Sequence, residues 1–187
     1  TLDIIRKLAL CEENTAKVQL TMADRNINAV RSTSAGRLFD GVYALLEEAQ
    51  DQAYDAQAPT LLESMADPAE HGRYSLAFYD QAGIRVFDWR VMIRELMQDK
   101  ANGVEHGRIA ARFMNTLCAM AVDQCRVCNA EHLPVVLSGG SFLNLWLLHK
   151  IKDALRQEGY AVYWHQQTSC NDEGIALGQL AVAMERM

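Results

Sequence analysis

Proline is scarce in this chain, at three of 187 residues, and aromatic side chains make up only 7%. There is no tract of a single residue type and no internal repeat, which excludes proline-rich, collagen-like and solenoid architectures. No apolar run approaches the length of a membrane span, and residues 1–20 carry charges throughout, so neither a transmembrane segment nor a signal peptide is read. An excess of basic charge is also missing: 18 Lys and Arg stand against 24 Asp and Glu, for a net charge of −6 and a pI of about 5.3. A general nucleic-acid binder needs a basic surface to meet phosphates, so nucleic acid is not an expected partner. The five cysteines (Cys11, Cys118, Cys125, Cys128 and Cys170) are odd in number and scattered. They do not form a disulfide framework, and a reducing cytoplasm is the expected compartment. Cys125 and Cys128 have half the spacing of a zinc site but lack a second pair, and they read as part of a helix.

What is present suits a globular α/β protein. Half of the residues are hydrophobic and 22% are charged, enough for one domain with a real core or for two small lobes. We read a single domain over 1–187, with a helical lead-in over 1–30. Within the lead-in, helices are expected over Leu2–Cys11 and Met22–Val30. Ser32-Thr33-Ser34 offers caps for a further helix, with Leu38, Phe39, Val42, Leu45 and Leu46 on its apolar face. Another spans Gln57–Met65. Tyr74–Tyr79 and Ile84–Trp89 read as a hairpin, Val91–Gln98 as a helix broken at Asn102-Gly103, and Val104–Cys128 as one long helix. The last sixty residues alternate: strand 134–137, helix 141–157, strand 160–164, helix 173–186. That alternation implies a parallel β-α-β-α ending.

Two turns in this ending carry the chemistry. Ser138-Gly139-Gly140 stops the first strand and opens a helix, the arrangement that brings backbone N–H groups against a phosphate. Read from these residues alone, a tight turn with no ligand fits equally well. Ser169-Cys170-Asn171-Asp172-Glu173-Gly174 lies between the second strand and the last helix. Asp172 there is a metal-binding carboxylate or a helix cap. On adjacent parallel strands, both turns face one crevice. Two further groups stand earlier in the chain. Arg37 and Asp40 share a helix face, either as a site or as a surface ion pair. Tyr54-Asp55-Ala56-Gln57-Ala58 opens a helix and also reads as a cap.

The order of Ser34-Ala35-Gly36-Arg37-Leu38-Phe39-Asp40, Tyr54-Asp55-Ala56-Gln57-Ala58, Ser138-Gly139-Gly140-Ser141-Phe142-Leu143-Asn144 and Asn171-Asp172-Glu173-Gly174-Ile175-Ala176-Leu177-Gly178-Gln179 resembles the HypF carbamoyltransferases. That family matures NiFe hydrogenases. Its transfer domain is similar to the tRNA threonylcarbamoyladenosine synthesis enzymes and, more distantly, to actin-like ATPases. The resemblance runs from about residue 31 to 183. It implies a helix-rich α/β lobe of the actin-like ATPase type, with a small mixed sheet ending in the parallel unit. It also implies that Gly139 and Gly140 lie against nucleotide phosphates, that Asn144 contacts the nucleotide and that Asp40 lines the same site. Asp172 then completes a site for a divalent metal, iron or zinc, whose other ligands are histidines of a preceding lobe. No such histidine motif occurs here: His71, His106, His132, His149 and His165 are isolated in sequence.

With its first residue at Thr1 inside a helical pattern, the chain reads as the C-terminal lobe of a larger carbamoyltransferase, inactive alone. The implied reaction moves a carbamoyl group from carbamoyl-adenylate, made from carbamoyl phosphate and ATP, to the thiol of a C-terminal cysteine on an acceptor protein. The nucleophile is the acceptor's, so no catalytic side chain is assigned in this chain. Several positions depart from the family's usual pattern: Asp55 and Ala56 for Glu-Gly, Met114 for histidine, Leu143 and Leu145 for polar residues, and Glu173 for glycine. Two other readings stay open. One is a nucleotide-binding or docking module without catalysis. The other is an O-carbamoyltransferase acting on a small-molecule hydroxyl.

Overall fold

Three of the helices end at residues in a left-handed backbone, Asn26, Gly103 and Gly159. The computed structural model describes residues 12–30, 32–47 and 51–186, so the helix expected over Leu2–Cys11 lies outside the described residues. The chain divides into two compact units, one up to Leu61 and one from Leu62 onward.

The first unit holds α1 (Glu13–Asp24), α2 (Ala35–Glu47) and the start of α3 (Gln57–Met65). The helix expected over Met22–Val30 is instead α1, which ends where that segment begins. Asn26 and Asn28 adopt φ of +52° and +50°. The Asn26 N–H closes on the Ala23 carbonyl (3.2 Å) and the Ile27 N–H on that of Met22 (2.8 Å), which terminates the helix. Helix α2 buries Phe39, Val42 and Leu46, with Leu38 and Leu45 half-buried, as its spacing predicts. Helix α3 has the predicted bounds and is preceded by Ala56 at φ +61°.

In the second unit the hairpin is present but shorter than its apolar runs. Strands β1 (Phe78–Gln81) and β2 (Ile84–Phe87) pair antiparallel, joined by Ala82 (φ +54°) and Gly83 (φ +79°). Two successive positive φ values make the tight hairpin turn whose twist matches the strands. Trp89 begins α4 (Trp89–Ala101), not the end of a strand. The Asp88 carboxylate accepts the Arg90 N–H at 3.1 Å and caps the helix there. Asn102-Gly103 stops α4 as expected. Gly103 has φ +74°, and the N–H groups of Gly103 and Val104 close on the carbonyls of Lys100 and Asp99, each at 3.0 Å.

Helix α5 (His106–Cys128) is the core of this unit. Every residue from Ile109 to Cys118 except Arg112 is buried, a continuous run rather than a stripe. A helix enclosed on nearly all sides has neighbours to match, and α5 packs against both α4 and α6 (Leu145–Gln157). Phe113 has no exposed surface, and such burial contributes roughly 1.5–3 kcal/mol.

The loop between α3 and the hairpin is held to α5 by side chains, since it has no ladder of its own. The buried Glu70 carboxylate accepts the Gly72 N–H (2.7 Å), Arg108 Nε (2.9 Å) and Arg112 Nε (3.1 Å). Asn115 Nδ2 donates to the Glu70 and Gly72 carbonyls (3.1 and 2.9 Å). Its Oδ1 accepts Trp146 Nε1 (3.0 Å) and Lys150 Nζ (2.7 Å) of α6. Two backbone carbonyls of this irregular segment are thus satisfied by Asn115, while Arg108 and Arg112 hold the Glu70 carboxylate that meets the Gly72 N–H.

The ending is the predicted β-α-β-α: β3 (Val135–Leu137), α6, β4 (Val162–Trp164) and α7 (Ile175–Glu185). The strands are parallel, with Val135, Val136 and Leu137 opposite Val162, Tyr163 and Trp164. Gly159, at φ +87°, ends α6, with its N–H on the Arg156 carbonyl and that of Tyr160 on Leu155, both 3.0 Å. The expected small mixed sheet is resolved among the described residues into two separate two-stranded sheets, one antiparallel and one parallel. The chain between the hairpin and β3 runs through α4 and α5. Among the described residues, no helix is long and apolar enough to cross a membrane.

Candidate functional site

Parallel pairing puts the ends of β3 and β4 at one edge, so the segments that follow, Ser138–Asn144 and His165–Gly174, start side by side. They also touch. The Gly139 N–H donates to the Cys170 carbonyl at 2.8 Å. A Cβ on Gly140 would sit 3.9 Å from the Asn171 Cβ. The glycine-paired turn and the acid-bearing turn therefore meet at one mouth, as the sequence requires of a shared site.

Gly139 sits at φ +100°, ψ 158°, backbone that is essentially reserved for glycine. Its N–H is committed to Cys170, so Gly139 supplies a conformation and not a donor. The N–H groups of Gly140 and Ser141, at the start of the 3-10 turn Gly140–Leu143, have no partner among the described residues. Of the glycine pair, Gly140 is the member whose N–H is unengaged among the described residues.

Asn144 is buried and begins α6 as its cap. Its Oδ1 accepts the Leu147 N–H at 2.9 Å, and Nδ2 faces the Met114 sulfur at 3.6 Å. Asp172 opens a second 3-10 turn, Asp172–Gly174. The cap there is the preceding residue: Asn171 Oδ1 accepts the Glu173 N–H (3.1 Å) and the Ser169 hydroxyl (2.6 Å). The Asp172 carboxylate is exposed and accepts no hydrogen bond among the described residues. Asp40 lies on α2 in the first unit. Its Oδ1 accepts Gln52 Nε2 at 2.9 Å, and its Oδ2 is 3.0 Å from Arg37 Nη2. The predicted pairing of Arg37 and Asp40 on one face is present. Oδ2 is nevertheless buried, with an ion pair but no aligned donor.

One residue at the mouth escaped the sequence reading. His165 Nε2 lies 2.9 Å from Ser138 Oγ, and its Nδ1 lies 3.1 Å from Thr168 Oγ1. Leu137 and Trp164 are opposite each other in the ladder, and Ser138 and His165 are the next residues on each strand. Strand register, not motif, is the signal that finds this pair.

A metal would need several ligands together. Among the described residues, no three of His, Cys, Asp and Glu converge. The unengaged Asp172 carboxylate is suited to serve as one ligand. The cysteines divide by environment: burial pushes the Cys118 thiol up to about 12, and burial also raises that of Cys125. Cys125 is half-buried and Cys128 exposed, both at the end of α5. Two thiols held protonated by burial are poor nucleophiles.

The family described as "Carbamoyltransferase, Kae1-like Domain, second subdomain" matches residues 2–179. The Carbamoyltransferase HypF homolog of Cupriavidus necator is 32% identical over 94% of this chain and 46% of its own length. The Carbamoyltransferase HypF of Synechocystis sp. is 28% identical over 82% of this chain and 20% of its own. The chain thus spans less than half of these relatives. Among solved structures, full-length HypF in the phosphate- and nucleotide-bound form is similar at a TM-score of 0.90 and 30% identity, over 98% of this chain and 24% of that one. T. kodakarensis HypF, at 0.68 and 19%, shares the fold.

Proposed function

Because this chain belongs to the HypF carbamoyltransferase family, as the second subdomain of its Kae1-like domain, we propose that it is the C-terminal lobe of an enzyme that carbamoylates a protein thiol during NiFe hydrogenase maturation. Carbamoyl-adenylate, made from carbamoyl phosphate and ATP, is the donor. The acceptor is the C-terminal cysteine of a partner protein, and the compartment is the cytoplasm, where such thiols stay reduced. The observation that carries this reading is the Gly139 N–H to Cys170 carbonyl bond, which joins the two family turns at one mouth.

In the proposed site the adenylate phosphate lies against Gly139 and Gly140. The unengaged N–H groups of Gly140 and Ser141 face its charge, and Gly139 holds the turn open. Asn144, whose amide is shared between the α6 cap and the Met114 sulfur, is the proposed nucleotide contact at the start of α6. The acceptor thiolate attacks the carbamoyl carbon. The C–S bond forms, the bond from that carbon to the phosphate-borne oxygen breaks, AMP leaves, and the thiol proton passes to solvent. Asp172 would be one ligand of an iron or zinc ion shared with a preceding lobe; when bound, such an ion supplies Lewis-acid polarisation.

One observation favours a second reading, a nucleotide-binding module without catalysis. Met114 is fully buried and packs its sulfur against the Asn144 amide, while Leu143 and Leu145 are 55% and 56% exposed where polar contacts are expected. The deciding experiment incubates the full-length protein with ATP, carbamoyl phosphate and an acceptor ending in cysteine. A mass gain of one carbamoyl group on the acceptor supports transfer. AMP binding without any such gain supports the module.

A further inference from the structure

We propose that His165 is a positioning residue that aims the Ser138 hydroxyl proton at the anion held by the glycine turn. This rests on the nucleotide reading of that turn given above.

The geometry is a three-member chain at the mouth. Thr168 Oγ1 lies 3.1 Å from His165 Nδ1, and His165 Nε2 lies 2.9 Å from Ser138 Oγ. Ser138 immediately precedes Gly139, and all three side chains are exposed. The loops are already joined by the Gly139 to Cys170 backbone bond, and an exposed side-chain bond adds little to that join. Its effect lies in where the protons sit.

A neutral imidazole has one N–H and one bare nitrogen, and each hydroxyl donates or accepts. Two arrangements satisfy the chain. In one, Nδ1–H donates to Thr168 and Nε2 accepts the Ser138 proton, which turns the serine's lone pairs outward. In the other, Thr168 donates to Nδ1 and Nε2–H donates to Ser138 Oγ, which frees the serine proton to point outward. An anion against Gly139 and Gly140 repels the first and accepts a bond from the second. Binding therefore selects the tautomer with the proton on Nε2, and His165 pre-aims a donor without touching the ligand.

The test uses the full-length protein with AMP as the probe. Imidazole nitrogen NMR of the wild type is expected to move toward the Nε2–H tautomer as AMP saturates. Ser138→Ala is expected to weaken AMP binding about tenfold, the loss of one hydrogen bond to a charged group. His165→Ala keeps that hydroxyl but no longer aims it, so it is expected to cost a smaller factor, about threefold, and the double variant no more than Ser138→Ala alone. His165→Gln, whose amide N–H replaces that of Nε2, is expected to recover most of the loss. Because the three side chains are exposed, the variants should keep the wild-type circular dichroism. If the wild type binds AMP while His165→Ala binds it equally well, or if the two losses simply multiply, the positioning role is wrong and the nucleotide reading stands. If the wild type binds no AMP, both fall.

Discussion

Gly139 and Cys170, 31 positions apart in the chain, share a backbone hydrogen bond of 2.8 Å. That bond holds two strand-end turns against each other before any ligand arrives. It also divides the work of the glycine pair: Gly139 provides a backbone shape, and Gly140 provides open space and a spare N–H.

The two glycines should therefore fail differently. Gly139→Ala forces a side chain into a region that costs about 1–3 kcal/mol, and urea unfolding should show that loss. Gly140→Ala places its Cβ 3.9 Å from the Asn171 Cβ, an ordinary contact, so stability should change by less than about 0.5 kcal/mol. AMP titration of the full-length protein should nonetheless weaken in both. Normal AMP affinity in Gly140→Ala would contradict a phosphate at this turn.

Ala56 holds a left-handed φ of +61° just before α3. The strain for a non-glycine residue is about 1–2 kcal/mol, offset in part by the greater chain entropy of glycine. Ala56→Gly should stabilise the protein by about 0.5–1 kcal/mol, a rise in melting temperature of a few degrees by calorimetry. A lower melting temperature would mean that the left-handed turn is not strained.

The Glu70 carboxyl is held below its usual range, first by the Gly72 N–H and then by Arg108 and Arg112, against the cost of its burial. Its ionised form is favoured by the fold. The stability it contributes is complete above the ordinary carboxylate range and is lost as pH falls through the lowered folded value. Glu70→Gln should cost about 1–3 kcal/mol at pH 7, and the gap to wild type should narrow on acidification. Urea midpoints from pH 7 to pH 3 provide the check; a gap that stays constant would remove Glu70 as the source.

Asn144 is both a helix cap and the proposed nucleotide contact. Asn144→Ala should lose about 1 kcal/mol of stability through the cap alone. Asn144→Ser keeps a capping oxygen and should restore most of that. If the nucleotide contact is real, AMP affinity stays low in both variants; recovery in the serine variant would assign Asn144 to capping only.

Cys118 should stay unmodified when the native protein meets a thiol reagent at pH 8, because burial pushes its thiol up to about 12. Exposed Cys128 should react promptly. Peptide mapping after the reaction separates the two, and rapid labelling of Cys118 would show that α5 opens readily.

The parallel ending was legible because its signals are local: Gly159 ends one helix, the glycine pair ends one strand, and apolar spacing does the rest. Helix α1 was misplaced for the opposite reason. Ala16 is its one buried residue, so the helix shows no apolar stripe, and its stop depends on Asn26 adopting a left-handed backbone. The hairpin was found, but its ends were not, because Asp88 turns Trp89 into a helix start. At the site, the meeting of the two turns follows from topology. The Ser138–His165 pair needed the strand register, which depends on a partner 27 residues away. The Glu70 cluster joins side chains more than 35 positions apart, a spacing no motif encodes.

Helix α7 presents Ile175, Leu177, Leu180, Val182 and Met184, each more than half exposed, and buries none of its residues. A helix greasy on every side has no wet flank to tell it which way to roll. Nothing in its own composition fixes the angle at which it turns about its axis, so that angle is inherited from whatever surrounds it.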